Sequence, residues 1–151
     1  MTTHFPEGFW YDFATGHAVI NEKQITQALG TFEIALWVRG GTILPVLDHN
    51  KELSLLEAYK NPVALKVYPD AENKAFGKLL LDDTWSQSLD QCVVEFKFGS
   101  GKLWLEVDRC SYPTTLKISE ITVYSVSSKT EQFGPTSIYL TQGAFHTLIT
   151  L

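Results

Sequence analysis

Residues 34–45 constrain the fold more than any other stretch, because two apolar runs there flank a pair of glycines. The segment is Ile-Ala-Leu-Trp-Val-Arg-Gly-Gly-Thr-Ile-Leu-Pro. Glycine tolerates the positive φ angles that a two-residue hairpin turn requires, and the flanking β-branched and aromatic residues favour strands. The segment therefore predicts a hairpin in which Val38 faces Ile43. Pro45 has no N–H to donate, so we expect it to end the pairing.

A second hairpin is predicted where apolar and polar residues alternate on both sides of Ser100-Gly101. Matching the apolar faces sets the pairs Phe98 with Leu103, Phe96 with Leu105 and Val94 with Val107. Residues 63–68 are apolar on both faces, which predicts a central strand, and residues 53–59 indicate one helical turn at most. Short strands, regular turns and almost no helical period indicate an all-β fold, an antiparallel β-sandwich.

The two cysteines lie near the far ends of the second hairpin. In the register set by the apolar faces, Cys92 faces Arg109 and Cys110 points to the other side of the sheet. We therefore expect two free thiols, unless a bulge shifts the register. The cysteine count leaves the redox compartment open.

Charge and composition exclude several classes of partner. The 151-residue chain carries a net charge of -5 and no cluster of Lys or Arg, so we expect no nucleic-acid partner. No apolar run approaches the ~18 residues that span a bilayer, so we expect no membrane partner. We also expect no metal and no cofactor, because no ligand spacing relates the four histidines, which are His4, His17, His49 and His146.

Two carboxylate pairs are candidates for chemistry. Asp82 and Asp83 are neighbours at a strand end and point to opposite faces, so they suit turn capping or a weak Ca²⁺ site. Glu95 faces Glu106 across the second hairpin, with Lys97 near enough to relieve their repulsion. This second pair is either a solvated, charge-compensated face or a sugar-binding or catalytic one. We assign no catalytic residue to the chain.

Three segments, in the same order, resemble motifs of glycoside hydrolase family 31, the α-glucosidase family. Residues 5–16 resemble its Leu-Pro-x-Gly-x-Trp-Tyr-Asp-x-x-Thr-Gly motif, and residues 34–45 resemble Ile-Pro-x-x-x-Arg-Gly-Gly-x-Ile-Ile-Pro. Residues 77–83 resemble Gly-x-Leu-x-x-Asp-Asp-Gly. The chain departs from the pattern at Thr84-Trp85, where the family has glycine and then an acidic residue.

The resemblance implies the C-terminal β-sandwich domains of such an enzyme, without the (β/α)8 barrel that carries the catalytic carboxylates. It implies a partial proximal β domain at residues 1–57 and a distal β-sandwich at residues 58–151. The parent enzyme would be a retaining α-glucosidase that hydrolyses terminal α-linked glucose, and the chain alone would be an inactive region that stabilises the barrel. The sequence itself assigns no compartment. In a eukaryote the parent's signal would direct it to the secretory pathway, meaning the ER, the lysosome or secretion.

Three further expectations concern contacts. Residues 1–57 are too few for an independent sandwich, and the resemblance implies that the first sandwich also uses strands upstream of residues 5–16. We therefore expect an unpaired sheet edge that is open to strand addition or dimerisation. Arg39 is either a surface charge or a clamp for a carboxylate of the barrel. The alternative function is a freestanding carbohydrate-binding or protein-interaction module, in which Trp85 or Trp104 would stack on a sugar.

Overall fold

The computed structural model describes residues 1–47, 61–82, 91–111, 114–125, 130–140 and 145–150. All regular secondary structure within these ranges is β. The described strands are β1 (Thr2–His4), β2 (Phe9–Asp12), β3 (Ala18–Ile20), β4 (Gln24–Thr26), β5 (Trp37–Arg39), β6 (Thr42–Leu47), β7 (Val63–Tyr68), β8 (Ala75–Asp82), β9 (Gln91–Gly99), β10 (Lys102–Cys110), β11 (Thr114–Val123), β12 (Glu131–Phe133), β13 (Thr136–Leu140) and β14 (Phe145–Thr150). No helix in this part of the chain is long and apolar enough to cross a membrane.

The strands form one large sheet and two small ones. The large sheet has the order β12-β11-β7-β6-β8-β9-β10-β14, with β13 also paired to β11. A three-stranded sheet has the order β3-β2-β5, and β1 pairs with β4. Most pairs are antiparallel, but β11 runs parallel to β7, and β6 meets β8 in parallel at a single residue pair. The large sheet curls so that its buried side chains enclose one core, which confirms the predicted all-β, sandwich-like class.

The hairpin of β9 and β10 forms in the predicted register. Ser100 and Gly101 have φ angles of 51° and 68°, as a two-residue turn of this kind requires. The facing pairs are Phe98 with Leu103, Phe96 with Leu105 and Val94 with Val107. These side chains are buried in the core of the large sheet. The prediction that residues 63–68 form a central strand is also confirmed, because β7 lies between β6 and β11.

The predicted hairpin at Gly40-Gly41 is wrong. Val38 does not face Ile43, because β5 pairs with β2 in the three-stranded sheet, whereas β6 pairs with β7 in the large one. The two glycines instead carry the chain from one sheet to the other. The Gly40 N–H donates to the carbonyl oxygen of Phe9 at 2.8 Å, and the Gly41 N–H donates to that of Tyr68 at 2.7 Å.

Glycine is needed at this crossover for a reason other than a hairpin turn. A Cβ atom at position 40 would come within 2.7 Å of the Cβ of Phe9, so only glycine lets the two backbones approach. Gly41 has a φ angle of 89°, which L residues rarely adopt. The two glycines of the crossover thus form backbone hydrogen bonds with both sheets.

Pro45 does not end the pairing, which corrects a second expectation. It lies opposite Leu65 in the middle of the β6–β7 ladder, and β6 continues to Leu47. The other neighbour of β6, strand β8, pairs with it at Thr42 and Phe76 alone. On the side of β6 that faces β8, Pro45 therefore has no paired residue that would need its N–H, and proline is tolerated there as on an edge strand.

The two cysteines form a disulfide, so the prediction of two free thiols is wrong. A bulge between Val107 and Arg109 shifts the register by one residue and places Cys110 opposite Cys92. Their Cα atoms are 4.0 Å apart, and both residues are buried. The apolar alternation fixed the register near the turn, but one extra residue at the bulge changed which residue faces Cys92.

Three tyrosines join the three-stranded sheet to the large one. The rings of Tyr68 and Tyr124 stack with their centroids 4.7 Å apart, and Tyr11 lies 5.4 Å from Tyr68. The Tyr11 hydroxyl donates a hydrogen bond of 2.8 Å to the carbonyl oxygen of Pro69. Burial, with a smaller contribution from Asp70, raises the pKa of Tyr11 to about 12. Burial also raises the pKa of Tyr68.

These tyrosines predict a loss of stability at alkaline pH. The unfolded chain releases the Tyr11 proton near pH 10, whereas the folded chain keeps it until about pH 12. The stabilisation is thus complete below pH ~10 and is lost as the pH rises towards 12. The free energy of unfolding is measured in urea at pH 8, 10 and 11. At pH 8, Tyr11→Phe should be less stable than the unmodified chain because it loses a hydrogen bond. As the pH rises, its free energy of unfolding should fall less than that of the unmodified chain. Parallel declines in the two proteins would contradict this.

The unpaired edge stays a prediction, because the three-stranded sheet has two edge strands that could provide it. Among the described strands, β3 and β5 each pair with β2 alone. The Phe13 N–H donates to the carbonyl oxygen of Leu36, and the Gly40 N–H donates to that of Phe9, so the even-numbered residues bond towards β2. The N–H and C=O groups of Trp37 and Arg39 therefore point away from β2, towards the open edge.

Candidate functional site

The outer face of β8, β9 and β10 holds the predicted carboxylate pair. Glu95 lies directly opposite Glu106, and Lys78 on β8 lies directly opposite Glu95. The Lys78 ammonium is 2.8 Å from Glu95, and the Lys97 ammonium is 2.6 Å from Glu106 and 3.8 Å from Glu95. Two lysines thus neutralise two carboxylates that would otherwise repel each other.

The electrostatics of this group follow from its ion pairs. The hydrogen bond from Lys78 lowers the pKa of Glu95, and partner carboxylates raise the pKa of Lys78 and of Lys97. The charges of Glu95, Lys78 and Lys97 therefore persist at neutral pH. Glycoside hydrolysis requires a carboxylic acid with a raised pKa beside a carboxylate, and here the pKa shift of Glu95 has the opposite direction. The arrangement fits the charge-compensated, solvated face.

Exposed aromatic and aliphatic side chains lie beside these ion pairs. Trp104 pairs with Lys97 on β9 and with Leu148 on β14, while Phe76 on β8 pairs with Lys97 from the other side. Trp104 is 38% exposed, as the sequence led us to expect for a residue on the polar face. The aromatic ring of Trp104 is thus available to a ligand.

The other predicted residues are dispersed. Asp82 ends β8 on the exposed side, and Arg39 is exposed at the end of β5. Asp83 and Trp85 lie outside the described residues, as does the predicted helical turn at residues 53–59. In the part of the chain that the structure describes, no group of three or more His, Cys, Asp or Glu side chains could hold a metal ion.

Two residues of the first motif have structural roles. The Asp12 carboxylate accepts hydrogen bonds from the backbone N–H groups of Ala14 and Thr15, which closes the turn after β2. Tyr11 is fully buried in the tyrosine cluster between the sheets. The motif therefore builds the junction of the sheets, and these side chains are not placed for chemistry.

Sequence reasoning missed an exposed apolar strip, formed by Phe32, Ile34 and Leu36, which immediately precedes β5. The three residues are 98%, 87% and 53% exposed. Leu36 extends the β2–β5 ladder, and Val38, two residues further on, is buried on the same face. The signal was present in the sequence as apolar residues at every second position, but that pattern normally marks a buried face.

Comparisons with known proteins show which enzymes this chain resembles. No protein-family profile matches it. It is 32% identical to glucoamylase 1 of Candida albicans over 123 residues, which cover 80% of this chain and 13% of that protein. It is 28% identical to an α-glucosidase of Schizosaccharomyces pombe over 134 residues, which cover 87% of this chain and 13% of that protein.

Solved structures share its fold. A glucosidase II alpha subunit matches 99% of this chain with a TM-score of 0.74 and 17% identity, over 21% of that subunit. The GH31 alpha-xylosidase of Xanthomonas citri matches 97% of this chain with a TM-score of 0.63 and 16% identity, over 17% of that enzyme. The chain thus spans about a fifth or less of each protein that it resembles.

The fold of this chain is an all-β arrangement that also occurs as part of larger enzymes. The chain is homologous to the glycoside hydrolases of family 31, the α-glucosidase family, and corresponds to their C-terminal β-sandwich domains. Nothing in the described residues corresponds to the catalytic barrel.

Proposed function

We propose that this chain is the non-catalytic C-terminal region of a retaining α-glucosidase that hydrolyses terminal α-linked glucose, and that it stabilises the catalytic barrel. The relatives include proteins named α-glucosidase and glucoamylase, and the chain spans 13% of each. The compensated carboxylates on the outer face leave the chain without a free acid and base pair at that site. Its contribution to the enzyme is therefore structural.

The observation that carries this proposal is the exposed apolar strip. An apolar surface that continues a buried face marks a contact with another part of the protein or with a partner. Burial of that surface would contribute about 25 cal/mol per Å². The catalytic barrel is the occupant that the relatives favour, because most of their length lies outside the part that this chain matches.

The open edge of β5 lies next to the strip and supports the same contact. Trp37 follows Leu36 directly, and its buried indole N–H has no hydrogen-bond partner among the described residues. A strand added at this edge would pair with the outward N–H and C=O groups of Trp37 and Arg39. In the parent enzyme, we assign that strand to the segment that precedes this chain.

The division into residues 1–57 and residues 58–151 remains part of the proposal. Its boundary lies outside the described residues. Strand β6 precedes that boundary in the chain but pairs with β7, which follows it. The two proposed domains would therefore share the large sheet.

The test begins with the reading frame upstream of Met1, where we expect a barrel-coding segment. In the resulting longer protein, Ile34→Ser combined with Leu36→Ser should lower the stability of the barrel by about 1–3 kcal/mol, because the contact loses apolar burial. The measurement is residual α-glucosidase activity after heating. The matched control is Leu148→Ser, since Leu148 is similarly exposed but lies on β14, away from the strip. An upstream frame without a barrel, or equal heat inactivation of both variants, would contradict the proposal.

The alternative, a freestanding carbohydrate-binding or protein-interaction module, is favoured by one observation, the exposure of Trp104. The reading frame distinguishes the two proposals, because an upstream barrel would exclude a freestanding module. Trp85, the other predicted stacking residue, lies outside the described residues.

A further inference from the structure

The outer face of the large sheet carries a row of exposed side chains that crosses four strands. The register aligns Phe76 of β8, Lys97 of β9, Trp104 of β10 and Leu148 of β14, and we call this set the aromatic row. Phe76 is 46% exposed and Trp104 is 38% exposed. Two strand spacings separate their positions, which is roughly 10 Å. The two rings are therefore far enough apart to contact different units of one extended ligand.

The charges next to the row are mutually compensated. Lys97 lies between the two aromatic positions, and its ammonium contacts Glu106 at 2.6 Å. Lys78 and Glu95 form the second close pair, at 2.8 Å. Two positive and two negative side chains leave this part of the face with no net charge. It therefore offers hydrogen-bond donors and acceptors to a neutral ligand and does not favour an ionic one.

A shallow depression of about 290 Å³ lies at the Phe76 end of the row. Its polar lining comes from Asp70, Lys74 and Lys97. The Asp70 carboxylate accepts hydrogen bonds from the backbone N–H groups of Glu72 and Lys74, each at 2.9 Å, and these bonds fix the loop that forms the wall. The row thus has a concave end with polar groups beside an aromatic ring.

We propose that the aromatic row and this depression bind a neutral oligosaccharide, specifically an α-glucan. A pyranose ring presents C–H groups on its faces and hydroxyl groups at its rim. The faces stack on aromatic rings, and the hydroxyl groups bond to carboxylates and ammonium groups. The choice of glucose as the sugar unit rests on the proposed function.

A protein partner fits this face less well. Protein contacts usually involve a contiguous apolar patch, whereas Lys97 separates Phe76 from Trp104 and a line of ion pairs runs alongside them. The compensated charge also gives no electrostatic attraction to a charged partner. Self-association of the chain through this face is therefore the competing outcome, which the test below distinguishes from sugar binding.

The proposal is tested by titration calorimetry of the 151-residue chain with maltoheptaose, maltose and glucose. We expect saturable binding of maltoheptaose, weaker binding of maltose and none of glucose, because the two rings contact separate sugar units. Trp104→Ala and Phe76→Ala should each weaken maltoheptaose binding about tenfold. Ile20→Ala is the matched control, since Ile20 is an exposed apolar residue on β3 of the three-stranded sheet, and it should bind like the unmodified chain.

Three results would overturn the proposal. The first is the absence of binding heat with maltoheptaose from protein whose thermal unfolding is cooperative. The second is an unchanged affinity in Trp104→Ala. The third is light scattering that shows self-association of the chain, abolished by Trp104→Ala, without sugar binding. None of these results bears on the barrel contact, because that contact is tested by the strip variants and by heat inactivation.

Discussion

Replacing Phe96 with alanine is expected to lower the free energy of unfolding by about 3–5 kcal/mol. Phe96 is completely buried in β9, where it faces Leu105 on one side and Gly77 on the other. Gly77 has no side chain, so no neighbour at that position could expand into the space that the ring leaves. The cavity should therefore persist, and a persistent cavity adds to the lost transfer free energy. Urea unfolding followed by tryptophan fluorescence measures the difference.

The adjacent residue provides the control. Lys97→Ala removes a side chain of comparable length from the exposed face of the same strand, together with its ion pair to Glu106. Exposed ion pairs contribute little to stability, so this variant should stay close to the unmodified chain. A loss for Phe96→Ala no larger than that for Lys97→Ala would show that the core is not packed around β9 as described.

Removal of the disulfide is expected to be the second large effect. The double variant Cys92→Ala, Cys110→Ala should lose about 3 kcal/mol, since the bond closes a loop between residues 18 positions apart and restricts the unfolded chain. The bond also fastens the end of the β9–β10 hairpin that lies farthest from its turn. Unfolding in urea with and without dithiothreitol should reproduce the same loss in the unmodified chain.

The control for this prediction is the double variant itself, which should not respond to dithiothreitol. Thiol titration of the denatured, unreduced chain should find no free thiol, and reduction should release two. Detection of two free thiols before reduction would support the register in which Cys92 faces Arg109. An unchanged stability on reduction would show that the bond does not restrict the unfolded chain.

Sequence reasoning succeeded where turn chemistry and side-chain alternation agreed. At Ser100-Gly101 the turn residues and both apolar faces select one register, and the structure has it. At Gly40-Gly41 the same kind of pattern misled, because a glycine pair also suits a crossover where two backbones meet closely. Only the distant partners Phe9 and Tyr68 distinguish the two cases, and local sequence carries no record of them.

The outer face of β8, β9 and β10 was predictable in part. Register alone placed Glu95 opposite Glu106 and put Trp104 on the exposed face, and both predictions are confirmed. The neighbour on the other side of β9 was not predictable, so the pairing of Lys78 with Glu95 was missed. The exposed strip was missed as well, because alternating apolar residues look the same whether or not another domain covers them.

The position of strand β6 limits how the two proposed domains could be exchanged separately by recombination. It lies between β7 and β8 in the large sheet, yet in the chain it directly follows the crossover from the small sheet. A recombination event between the two proposed domains would remove an interior strand from the larger one. The glycine crossover, which is hydrogen-bonded to the small sheet through Gly40 and to the large sheet through Gly41, therefore links the two proposed domains directly.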